Sequence, residues 1–232
     1  MDETPIYFDM GRNSTYHWKG ERSIQLVRTN GQKKRVTVCL TILSDGRKLA
    51  PFIIFKGKKP LTNPFSKTCV VESNENAWIT ETLMKIWIEK IWSKFKPLNL
   101  KKLLILDKCS SHKKQNIINL IKEDSYLEFV PSGCTSLVQP LDILINKPFK
   151  DNLRVLFEKW MNEIGIKDIN KTKKGKLKAP SKILIMKWIN EAWSNISSEL
   201  VAKAFKCAGK FIFLSKNNIK VFLMILWEVK IT

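Results

Sequence analysis

Leu103-Leu104-Ile105-Leu106 is an unbroken apolar run that stops at Asp107. Successive side chains of a strand point to opposite faces, so such a run needs cover on both sides. It reads as the buried central strand of a sheet flanked by helices. Arg35 to Leu43 (RVTVCLTIL) is rich in β-branched residues and predicts a strong strand, and Ser23 to Thr29 a plausible one. Asn30-Gly31 between them is a hairpin signal, and Ser44-Asp45-Gly46 makes a turn into a further strand, Leu49 to Phe55. Together these predict an antiparallel meander. Residues 57–77, with Pro60, Pro64, Asn74 and Asn76, read as loop.

Helical spacing takes over after Thr80, which can cap a helix running to about Phe95. Trp78, Trp87 and Trp92 are read as core aromatics, because aromatics at helical period bury their area. A second helix is predicted from His112 to about Glu123, capped by Ser110 or Ser111, then a strand from Leu127 to Val130. A long amphipathic helix follows Asp142, and two more are expected at Ser181 to Trp193 and Ser197 to Cys207. The order β-β-β-α-β-α-β-α gives a mixed α/β sheet with helices on its faces. Ligands of such sheets gather at strand ends, which makes Asp107 a candidate site residue.

Charge narrows the partners. Lys and Arg number 41 against 21 acids, a formal net charge of +20. That balance favours a polyanion, nucleic acid first and an anionic membrane surface second. The excess is nearly all Lys, as AT-rich coding alone would produce, so charge by itself leaves compositional drift open. No basic amphipathic helix stands out for a membrane surface. The basic groups that suit phosphate are Lys33-Lys34-Arg35, Lys56/Lys58/Lys59 and Lys101-Lys102. Five Cys lack CxxC spacing, and the two His lie far apart, so a structural zinc site is not expected. The start, MDETPIYFDM, has acids where a signal peptide needs a basic, then apolar, segment. Because the cysteine pattern shows no disulfide framework, a reducing compartment is expected.

Three segments set an Asp beside turn-forming or polar residues: Asp2, Asp107 and Asp142. Carboxylates from separate strand and helix ends can hold two Mg²⁺ ions around a phosphodiester. In a chain with 21 acids, spacing alone does not establish this.

The blocks MDETPIYFDM, RVTVCLTILSDGRKLAPFIIFKG, LLILDKCSSH, VPSGCTSLVQPLDILINKPFKDNLR and WINEAWSNISSELVAKAFKCAG, in this order, closely resemble the DDE superfamily endonuclease domain. This is the transposase domain of pogo, Tigger and jerky-like elements and their derivatives. The likeness covers about residues 1–209. It implies an RNase H-like sheet of about five strands flanked by helices, with further C-terminal helices. It implies DNA as partner, the nucleus as location, and Mg²⁺-dependent (or Mn²⁺-dependent) strand cleavage and transfer with two ions. The family's catalytic and metal-binding acids fall on Asp2, Asp107 and Asp142. His112 matches a frequent family His, to be read either as a phosphate or water contact or as a structural hydrogen-bonding group.

The resemblance divides the chain into an endonuclease core (1–164), a basic linker (165–180), a C-terminal helical part (181–209) and a divergent tail (210–232). Lys171 to Lys178 in the linker can be a nuclear-import signal, a DNA contact or a solvated tether. Two departures qualify the activity. Lys108 stands where the family more often has Asn or another small or polar residue. The family's first Asp ends a central strand, whereas only Met1 precedes Asp2. The first strand is therefore expected to be truncated, with Asp2 on a frayed end unable to meet the roughly 0.5 Å tolerance of an organised site. The alternative to catalysis is an inactive transposase remnant that binds DNA.

Overall fold

The computed structural model describes residues 1–11, 18–20, 27–58, 61–96, 102–165, 167, 170–173 and 175–209. Six strands form there: β1 (Asp2–Tyr7), β2 (Arg35–Leu40), β3 (Phe52–Lys56), β4 (Val70–Asn74), β5 (Lys102–Leu106) and β6 (Ser125–Phe129). The helices are α1 (Glu81–Trp87), α2 (Gln115–Lys122), α3 (Thr135–Val138), α4 (Asn146–Trp160), α5 (Lys182–Ser194) and α6 (Ser198–Cys207). A π-helical turn over Ile88–Trp92 extends α1, and two more, over Leu141–Ile145 and Met161–Gly165, flank α4.

β1, β2 and β3 pair in antiparallel fashion, and β4 joins β3 in parallel. β5 and β6 form a separate parallel pair. The Met1 nitrogen donates to the Ile105 carbonyl at 3.1 Å, which sets the start of β1 against β5.

β3 carries the main packing. Phe52, Ile53, Ile54 and Phe55 are all buried, and by alternation they feed two different cores. Ile53 and Phe55 join Val36, Val38 and Leu40 under Ile145, Phe149 and Leu153 of the α4 region and Ile185 and Ile189 of α5. Phe52 and Ile54 join Cys39 under Met84 and Trp87 of α1, Ile117 and Ile121 of α2, and Leu104 and Leu106 of β5. Leu103-Leu104-Ile105-Leu106 is buried on one face only, so the doubly covered strand is β3 rather than β5. Ser181 and Ser197 cap α5 and α6 by accepting from the backbone N–H three residues on, as Thr80 does for α1.

Several expectations are corrected. The meander's first described strand is β1; residues 23–29, expected as a strand, lie mostly outside the described residues. β1 is paired along all its residues, and Asp2 opens it rather than fraying from it. Residues 70–74 form β4, because extended backbone beside β3 gains ladder bonds that its polar composition conceals. α2 begins at Gln115, since His112 is drawn into the preceding turn by Asp107. Trp87 and Trp92 are buried, but Trp78 is 59% exposed. Within 165–180, Leu177 is buried and forms an isolated parallel bridge with Thr29. The tail from 210 lies outside the described residues.

The two tryptophans nine positions apart should separate cleanly in denaturant unfolding. Trp87, buried and stacked on Trp92 at 6.0 Å, should cost about 3–5 kcal/mol when replaced by Ala. Exposed Trp78→Ala should cost less than about 1 kcal/mol.

Candidate active site

Asp2 lies opposite Leu40 in the β1–β2 register, and its side chain emerges on the α4 face, the face that also takes Ile6. Asp142 sits in the π-helical turn before α4, and Asn146 opens α4 one turn later. Residues four apart on a helix share a face, so Asn146 can reach what Asp142 reaches. Its Nδ2 donates to Asp2 Oδ2 at 2.8 Å and to Asp142 Oδ1 at 3.0 Å. One amide thus joins two carboxylates that are 140 positions apart. Its Oδ1 is buried without a partner among the described residues.

Burial pushes the Asp2 carboxyl up to about 6; the Asn146 hydrogen bond opposes this and the nearby Asp142 charge adds to it. A carboxyl raised in the folded state favours folding at low pH. Its ionisation penalty is absent below 3.8 and complete above about 6.

Asp107 follows β5 and is engaged separately. His112 Nδ1 lies 2.7 Å from Asp107 Oδ1, and the Cys109 N–H donates to the same oxygen at 3.4 Å. His112 is 1% exposed, and its Nε2 lies 3.2 Å from Glu3 Oε1, an ion-pair contact rather than an aligned hydrogen bond. Burial pulls the imidazolium down, but Asp107 and Glu3 together outweigh it and set the ring at about 9. The His112 hydrogen bond in turn holds Asp107 below the usual carboxylate range. Of the two readings of His112, this geometry is that of a structural hydrogen-bonding group.

The strand period explains the division of labour. Asp2 and Glu3 are neighbours on β1, so one faces α4 and the other faces the β5–α2 side. The arrangement brings Asp2 and Asp142 together, whereas Asp107 is tied to His112. Among the described residues, no three His, Cys, Asp or Glu side chains converge closely enough to hold a metal ion. Asn146 and Glu3 were missed in the sequence; the four-residue step from Asp142 was the signal for the first. Gln139, three residues before Asp142, is buried with both amide atoms unpartnered.

The basic groups also divide. Lys33, Lys34 and Lys56 are exposed, and Arg35 is half-buried. Lys58 is exposed and pairs with Glu75 at 3.0 Å. Lys102 is not a surface group: it is buried, donates to the Trp92 carbonyl at 3.0 Å and pairs with Asp124 at 2.7 Å. Its place as the first residue of β5 turns the ammonium over the Trp92 ring, where nucleic acid cannot reach it. Lys59 and Lys101 lie outside the described residues.

The chain has two His, so proton NMR can isolate this network. One ring should titrate near 9, well above 6.5, and move down in Glu3→Gln. The stability that His112 contributes should be full below 6.5 and fade as pH rises through about 9.

Comparison with known proteins agrees with this architecture. The "Pogo transposable element with KRAB domain" of Homo sapiens is 30% identical over 233 residues, covering 99% of this chain and 37% of that protein. The mouse protein of the same description is 31% identical over 234 residues, with the same coverage. The chain thus spans little more than a third of these relatives' length. "Tigger transposable element-derived protein 4" of Mus musculus is 24% identical, over 90% of this chain and 39% of that one. Among solved structures, "Crystal structure of the Mos1 Strand Transfer Complex" aligns with a TM-score of 0.52 and 14% identity over 88% of this chain and 49% of that chain. The fold is RNase H-like, as in that transposase. Residues 33–205 match the family model for the DDE superfamily endonuclease, and the chain belongs to that family.

Proposed function

We propose that this transposase-derived domain acts on DNA in the nucleus, cleaving phosphodiester bonds and transferring strands with Mg²⁺ or Mn²⁺ held by Asp2, Asp107 and Asp142. The observation that carries this reading is the shared amide of Asn146. Two carboxylates face each other across it, Asp2 buried and pushed up to about 6, and the positive end of an amide dipole occupies the space between them. That environment suits a cation. The donors are hard oxygens, the chemistry that Mg²⁺ and Mn²⁺ prefer.

Divalent ions bound there would stabilise charge on the phosphate and lower the pKa of an attacking water or 3′-OH. The chain's own residues do the positioning. Asn146 holds Asp2 against Asp142, and His112 keeps Asp107 ionised and fixed in direction. Glu3 anchors the far nitrogen of His112. The +20 charge supports DNA as the partner through phosphate-dominated, salt-dependent binding.

A second reading, a DNA-binding module without catalysis, draws on one feature: Asp107 points at His112 rather than joining the other two acids. Calorimetry with Mg²⁺ and Mn²⁺, paired with nicking of supercoiled plasmid, separates the two. On the catalytic reading the wild type binds metal and nicks, and Asp107→Asn loses nicking. His112→Ala, which removes only a positioning group, should lose about 10–100-fold. Absence of metal binding in the wild type overturns the catalytic reading, and salt-dependent DNA binding that survives Asp107→Asn then leaves the module.

A further inference from the structure

Trp78 is the residue the site leaves unexplained. A large aromatic ring 59% exposed to water is costly, and the backbone beneath it is unusually constrained. Ala77 is buried at φ 56°, the only non-glycine residue with positive φ among those described. A left-handed alanine costs of order 1 kcal/mol and persists only when its surroundings enforce it. Here they do. Thr37 Oγ1 donates to the Ala77 carbonyl at 2.6 Å. Asn74 grips Trp78 from both sides, Nδ2 donating to its carbonyl at 2.5 Å and Oδ1 accepting from its N–H at 3.2 Å. The ring is therefore presented on a fixed base rather than left on a mobile loop.

Its surroundings are cationic. Trp78 lines a groove of about 1100 Å³ with Lys33, Arg35, Lys56, Lys178 and Lys182, and no acid lines it. The Arg35 guanidinium stacks over the ring at 5.1 Å. Lys182 Nζ donates to the Lys56 carbonyl at 3.2 Å, which closes the groove between β3 and α5. Leu177 and Asn30 hold the strip that carries Lys178, with the Asn30 N–H donating to the Leu177 carbonyl at 2.8 Å.

The groove stands apart from the carboxylates. Arg35 opposes Tyr7 at the far end of the six-residue β1–β2 ladder from Asp2, about 17 Å away at roughly 3.4 Å per residue.

We propose that this groove binds an unpaired stretch of DNA, with one base stacked on Trp78 and its phosphates on Lys33, Lys56, Lys178 and Lys182. Rigid aromatic plus flanking lysines is the chemistry of single-strand binding: every base offers a π-face, and the backbone offers charge at each step. Duplex DNA hides its base faces and can use only the lysines. The proposal rests on the reading that the domain binds DNA, and is independent of whether the carboxylates are catalytic.

Fluorescence anisotropy of the full chain with a labelled single-stranded oligonucleotide and a duplex of equal length, both in EDTA, tests it. Trp78→Ala should weaken single-strand binding roughly 10-fold, change duplex binding less than about 2-fold and leave the salt slope unchanged. Trp78→Phe should restore most of the loss, which a purely structural defect would not allow. Lys33→Ala and Lys178→Ala should each lower the single-strand salt slope by roughly 0.7. Single-strand binding by Trp78→Ala equal to wild type, or an abasic oligonucleotide bound as tightly as the normal one, overturns the proposal. If duplex binds and only the Trp78 effect is missing, the groove proposal alone falls. If neither DNA binds the wild type, the DNA reading falls with it.

Discussion

The double burial of β3 is the constraint from which the rest of the arrangement follows. A strand with Phe52 and Ile54 on one side and Ile53 and Phe55 on the other requires helices on both faces. The α4–α5–α6 layer covers one, and α1 with α2 and β5 covers the other. Each layer carries one part of the acidic site to the same end of the sheet: Asp142 arrives on the π-helical turn before α4 and Asn146 at the start of α4, and Asp107 and His112 arrive between β5 and α2. β1 is the seam where they meet, and its two-residue period hands Asp2 to one layer and Glu3 to the other.

Legibility in the sequence followed burial. RVTVCLTIL and LAPFIIF are apolar because they are central, and both became strands. The capped helices at Ser181 and Ser197 were equally plain, because a cap is a local interaction. β4, with the sequence VVESN, carries no such signal, since an edge strand owes its form to its neighbour's ladder. Trp78 and Lys102 were misjudged for one reason. Residue type predicts average burial, but the direction of a side chain is decided by a loop conformation at Ala77 in the first case and by the register of β5 in the second. The resemblance points to three acids; that one asparagine joins two of them depends on a contact between β1 and α4 that no local pattern reveals.

Two side-chain clusters of opposite charge lie toward the two ends of the β1–β2 ladder. Asp2, Glu3, Asp107 and Asp142 gather at one, and the lysines around Trp78 gather at the other. On the proposed DNA-binding reading, a polyanion would meet attraction at the lysine cluster and would need a cation's mediation at the carboxylates.

The docking of α5 and α6 bears on when the chain can fold. Val36, Val38 and Ile53 are covered by Ile185, Met186 and Ile189, which come roughly 130 to 150 positions later. Until those helices leave the ribosome, that face of the meander has only the α4 region to cover it. Its contacts are of high sequence separation, which slows folding and prolongs the exposure of apolar strands. α5 and α6 are the last of the described elements to be made, and they complete the cover that the α4 region begins.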